Sequence, residues 1–130
     1  MKKSTSTFKI LKSSWGIWLQ ITGTSIPNDN KEHLFKVNLN KLNLFPEELE
    51  YINSGFEWIA PIIEKKTLLK STIEITKIQM ILTDYQKEGL FYGIVFWLSE
   101  HFNFEMPKFE YEFDRKMNKY VFPELNEIMK

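Results

Sequence analysis

The sequence predicts an α+β fold: a single domain over 1–130, with a mostly antiparallel sheet of four to six strands packed against two or three helices. Three observations carry this. Several short segments alternate apolar and polar residues at period two, the strand signature. An apolar stripe at helical spacing runs through residues 84–102. Hydrophobic residues make up 43% of 130 positions, enough to bury one core.

The elements follow in order. Residues 1–7 read as loosely held, and Phe8–Leu11 as a short strand. Over 15–22, Trp15, Ile17, Leu19 and Ile21 alternate with Gly16, Trp18, Gln20 and Thr22, which predicts a half-buried strand. Residues 33–39 repeat the pattern with Phe35, Val37 and Leu39. Pro27-Asn28-Asp29-Asn30 supplies turn chemistry between them, so the two strands are expected to form an antiparallel hairpin with a long loop. Pro46-Glu47-Glu48 opens a helix: proline suits the first turn, and acids suit the positive end of the dipole. That helix is expected to break near Ser54-Gly55, with a second piece over 56–66 around Pro61.

Residues 72–82 read as a strand whose phase changes. Ile73 and Ile75 share one face, and Ile78, Met80 and Leu82 the other; a β-bulge near Thr76-Lys77, or a strand buried on both faces at different points, reconciles them. In the central helix, Leu90, Ile94, Trp97, Leu98 and Phe102 form the stripe, and Phe91, Val95 and Phe96 widen it, so more than one side is covered. Phe109–Asp114 alternates aromatics with Glu110, Glu112 and Asp114, a strand with one wet, acidic face. Tyr120–Phe122 pairs with it or covers an edge, and 124–130 is expected to be loosely held or a short helix.

Charge is balanced, with 17 basic and 17 acidic residues, which argues against a general nucleic-acid binder. The balance hides an asymmetry. Residues 1–45 carry seven lysines against two acids, and the rest of the chain carries the compensating acidic excess. There is no cysteine, hence no disulfide framework or Cys-ligated zinc. No apolar run approaches a membrane span, and the N-terminus lacks the apolar core of a signal peptide. A cytoplasmic protein with no membrane or nucleic-acid partner is the expectation.

Candidate chemistry concentrates in Thr83-Asp84-Tyr85-Gln86-Lys87-Glu88-Gly89-Leu90. Thr83 and Gln86 have capping-box spacing, with Thr83 expected to cap the central helix and Gln86 to reach back. Asp84 and Glu88 complement the positive helix end. Gly89 and Gly93 lie on one helix face, where a close approach of another element explains glycine. Asp84 and Glu88 are also a candidate acid–base pair, although no nucleophile accompanies them. His33 and His101 have no metal-binding spacing, and His101 sits where a helix C-terminus favours a cation. No cofactor is implied. An acidic set of Glu105, Glu110, Glu112 and Asp114, with Trp18 and Tyr120 as aromatic anchors, is the candidate partner surface. Loop Gly23–Glu32 is a second candidate contact.

The Ile-rich strand over 73–82, the Asp84-Tyr85-Gln86-x-Glu88-Gly89-Leu90 turn and the following helix with Trp97 resemble immunity proteins of bacterial polymorphic-toxin and contact-dependent inhibition systems. The resemblance covers roughly Ile73–Phe102. It implies an intracellular protein without catalysis that neutralises a cognate toxin, in many such systems a basic nuclease, by occluding its active site. It assigns no binding residues. Two alternatives from other classes stand beside it: a small ligand-binding or enzymatic domain with a polar pocket around Asp84, Gln86 and Glu88, and an assembly module using exposed strand edges.

Overall fold

Alternation builds the sheet. The computed structural model describes residues 1–12 and 15–129. Three long strands carry it: β1 (Lys2–Leu11), β2 (Gly16–Pro27) and β4 (Ser71–Met80). Ser6, Phe8 and Ile10 of β1 point inward together with Ile17, Leu19 and Ile21 of β2 and Ile73 and Ile75 of β4. The expected bulge is present. The β2–β4 register shifts between Thr22 and Gly23, so Thr22 faces Lys77 while Gly23 faces Ile75. The extra residue, Thr76, donates its hydroxyl to the Thr22 carbonyl. Ile78 and Met80, out of phase in sequence, thereby face Ile21 and Leu19 on the inner side. Leu82 does not join them; it sits exposed in a 3₁₀ turn, Leu82–Asp84.

The strand order is β1-β2-β4-β3, with β3 spanning Leu34–Val37. This corrects the predicted hairpin: β3 runs parallel to β4, not antiparallel to β2. The physical reason is the length of β2. It continues to Pro27, and β4 fills its free edge from Leu19 to Pro27. β3 is left the far edge of β4, which a helical crossover reaches in parallel. The first half of the expected loop Gly23–Glu32, residues 23–27, is therefore strand. Residues 2–7, expected to be loosely held, are paired from Lys2↔Ser25 onward.

The crossover is α1 (Pro46–Lys66), one unbroken helix of 21 residues. Gly55 does not break it. A Cβ there would lie 2.7 Å from the Phe91 carbonyl oxygen of α2 (Gly89–His101), so glycine lets the two helices touch. Pro61 is tolerated because it and Glu57, whose carbonyl loses its donor, lie on the solvent side. Glu48 accepts from the Phe45 N–H at 2.8 Å and caps the helix start. The expected close approach at Gly89 and Gly93 is to the sheet: added Cβ atoms would meet Ile17 Cγ2 at 2.7 Å and Leu19 Cδ1 at 3.1 Å.

Helix α2 is covered on nearly all sides, and only Glu100 is exposed. The sheet lies under it and α1 beside it. The C-terminal chain closes the rest: the short hairpin β5 (Glu112–Asp114)–β6 (Lys119–Val121) and α3 (Pro123–Ile128). Tyr92 stacks on Phe109 with centroids 4.1 Å apart and meets Phe122 at 5.1 Å. Of the two readings of the tail, loosely held or a short helix, the structure takes the helix, anchored through buried Leu125; Lys130 is outside the described residues. The ladder of the predicted Phe109–Asp114 strand is only three residues long. All three helices thus lie on one side of the sheet, and its other side is open.

Candidate functional site

The Thr83–Leu90 junction is built differently from its sequence signature. Helix α2 starts at Gly89, not at residue 84, and Thr83 is exposed in the 3₁₀ turn without capping it. The first N–H groups of α2 are met locally instead: Gly89, Leu90 and Phe91 donate to the carbonyls of Gln86, Lys87 and Glu88. Gln86 does not reach back to Thr83. Its side chain lies along β6, accepting from the Tyr120 N–H at 2.8 Å and donating to the Tyr120 carbonyl at 2.6 Å. A single amide thus occupies both groups of one backbone residue, as a neighbouring strand would. Gln86 also donates to Glu88 at 2.5 Å. Asp84 accepts from the Gly16 N–H at 3.3 Å and ties the junction to the start of β2.

Tyr85 donates to Glu48, the carboxylate that caps α1. Burial and the Glu48 carboxylate hold the Tyr85 phenol protonated, far above its usual range. Burial, then Glu88, raises Tyr51 on α1, and Glu47 and Glu50 add to this while Lys87 opposes it. Four carboxylates therefore crowd the start of α1 and the junction: Glu47, Glu48, Glu50 and Glu88. One ion pair partly offsets them, Lys87–Glu47 at 2.7 Å. Between Glu88, Tyr51, Lys119 and Asn126 lies a cleft of about 250 Å³ floored by Phe122 and Leu125. Asp84 does not line it. Of the proposed trio, only Glu88 does.

The predicted partner surface is partly brought together. Glu105, Glu110 and Glu112 are exposed. Asp114 is not free for a partner: its carboxylate accepts from the N–H groups of Lys116 and Met117 and shapes the hairpin turn. Tyr120 is not an exposed anchor. It is 1% exposed, its hydroxyl donates to the Trp15 carbonyl at 2.7 Å, and the Lys12 N–H donates to that hydroxyl at 2.9 Å. Trp18 is half-buried on the open face of the sheet, opposite the helical side where Phe109 and the acidic segment pack. It therefore does not join the glutamates in one surface.

Sequence reasoning missed a larger acidic surface. Glu47, Glu50, Glu57 and Glu64 of α1 fall within an arc of roughly 100° at 3.6 residues per turn. The arc lies opposite the buried Glu48, Ile52, Gly55, Ile59 and Ile63. Its signal was present in the spacing, but the expected break at Ser54-Gly55 divided it. Glu64 pairs with Lys70 and Glu47 with Lys87, whereas Glu50 and Glu57 form no ion pair among the described residues.

Both histidines are structural. His101 is buried at the end of α2, not a helix-end cation. Ser4 meets its Nδ1 at 2.5 Å and Ser25 its Nε2 at 2.7 Å, its ring stacks on Trp97, and Lys2 reaches its carbonyl. Burial, then Lys2, pushes its pKa down to about 4. His33 accepts from the Ser71 N–H at Nδ1 and donates from Nε2 to Thr67, which passes a bond to the Ile63 carbonyl. Burial and Lys70 lower its pKa. Among the described residues no three His, Asp or Glu side chains are arranged to hold a metal.

No protein-family model, no curated protein and no solved structure matches this chain. No helix among the described residues is long and apolar enough to cross a membrane.

Proposed function

We propose that this protein is a stoichiometric inhibitor of the immunity kind, which binds a basic toxin domain and blocks its active site. The observation that carries the reading is the acidic outer side of α1, where exposed Glu50 and Glu57 are flanked by Glu47 and Glu64. Exposed carboxylates on a rigid helix steer a basic partner and set its register. Glu110 and Glu112 extend acidic charge to the C-terminal segment. The polar junction supports the same reading, because Asp84, Gln86 and Glu88 each hold a bond that fixes the fold. The reading assigns no catalytic step to the chain.

The test is co-expression with the toxin-like reading frame adjacent to its gene. Protection of the host and a one-to-one complex are expected; failure to bind or protect overturns the proposal. With the complex in hand, Glu50→Lys with Glu57→Lys should slow association about tenfold at low salt and leave dissociation nearly unchanged. Glu110→Lys with Glu112→Lys tests the C-terminal segment in the same way. Unchanged association in both double variants would move the interface off the acidic side. The cleft beside Glu88 favours a second reading, a small-ligand site. A ligand whose stabilising effect on the protein is abolished by Glu88→Gln would establish it.

A further inference from the structure

The face of the sheet away from the helices is open among the described residues. Its side chains follow from the registers. Lys3, Thr5, Thr7 and Lys9 of β1 lie beside Thr24, Thr22, Gln20 and Trp18 of β2. Glu74, Lys77 and Gln79 of β4 and Lys36 of β3 continue the surface. Hydroxyls and amides cross-link it: Thr5 meets Thr22 at 2.8 Å, and Gln20 donates to Thr7 at 3.2 Å. Four lysines stand on this face against one glutamate, and none of the four forms an ion pair among the described residues. The net charge of zero thus conceals a cluster of four lysines on the open sheet, while carboxylates gather on the outside of α1.

We infer that this face binds single-stranded nucleic acid, with Lys3, Lys9, Lys36 and Lys77 on phosphates and Trp18 as a stacking platform. Its composition favours this over a protein partner. Protein interfaces are depleted in lysine at their core and enriched in buried apolar anchors. Here the centre is threonine, glutamine and lysine, with the half-exposed Trp18 indole and exposed Leu11 at one end and exposed Ile26 and Leu34 at the other. A flat cationic surface with an aromatic ring suits a strand of phosphates whose bases are free to stack. Thr and Gln side chains add donors for phosphate oxygens. Sequence totals argued against nucleic acid because they summed charges that the fold separates.

The experiment is fluorescence anisotropy of the full chain with a labelled oligo-dT and an oligo-U of about 20 nucleotides. Four lysine–phosphate contacts give a salt slope of roughly −2.8, so affinity should fall about 50-fold between 50 and 200 mM salt. Lys9→Glu with Lys77→Glu should abolish binding at 200 mM, and Lys9→Ala with Lys77→Ala should reduce the fall to about sevenfold. Trp18→Ala should weaken binding about tenfold or more, and Trp18→Phe should retain most of it. Lys65→Ala and Lys66→Ala, at the end of α1, serve as controls and should leave binding unchanged. No binding at 50 mM, or binding insensitive to Lys9 and Lys77, overturns the inference. Displacement by polyglutamate as effective as by unlabelled oligonucleotide also overturns it, in favour of an acidic protein partner. All five substituted side chains are at least partly exposed, so folding is not at stake, and thermal midpoints verify this. The outcome is independent of whether the acidic side binds a toxin.

Discussion

At the scale of single residues, Gln86 is the instructive case. Its position three residues after Thr83 suggests a capping box, because cap spacing is a local pattern. Its actual partner, Tyr120, is 34 residues away. The two bonds it makes satisfy an N–H and a carbonyl on β6 that have no other strand beside them. Gln86→Leu keeps the bulk and removes both bonds, leaving two part-buried backbone groups unpaired at about 1–3 kcal/mol each. A loss of about 2–4 kcal/mol by urea unfolding is expected, with faster amide exchange at Tyr120. A variant as stable as the parent would show that water replaces the amide. Tyr120 teaches the same lesson. Its flanks read as a strand, but its burial depends on Trp15, Lys12 and Phe113 converging from other segments.

At the scale of elements, the strands and the bulge were legible because period two and its interruption are written in adjacent residues. Pairing partners were not. The hairpin expected between β2 and β3 failed because strand length, not turn chemistry, decided which edge remained free. Helix ends were also misjudged, since glycine at 55 marks a helix contact rather than a break. The histidines belong to this scale, for they join elements: His101 links α2 to β1 and β2, and His33 links α1 to β4. His101 has its folded pKa lowered to about 4, against 6.5 for an unperturbed histidine. Below pH 6.5 the unfolded chain takes up a proton that the folded chain resists, so stability falls as pH drops from 6.5 towards 4 and is flat above 7. His33 acts in the same direction. Urea midpoints across this window should decline more steeply in the parent than in His101→Gln; equal slopes would show that carboxylates alone govern the decline.

At the scale of the whole molecule, the sheet has one covered side and one open side. The covered side depends on the chain's last residues. Tyr120, Phe122 and Leu125 are buried, and burying such side chains contributes about 1.5–3 kcal/mol each. Their sum rivals the roughly 5–15 kcal/mol net stability of a domain. A chain ending at Asp114 is therefore expected to lose cooperative thermal unfolding, and a sharp transition near the parent's would refute this. The α+β class, the strand alternation, the phase change in β4 and the buried stripe of α2 are written in the chain, because each is set by side-chain period within a few residues. It takes the folded arrangement to pair β3 with β4, to set Gln86 against β6, to bury Tyr120 and His101, and to gather four lysines on the open face of the sheet. Those outcomes depend on which distant segments meet, and contacts across tens of residues leave no periodic trace in the chain.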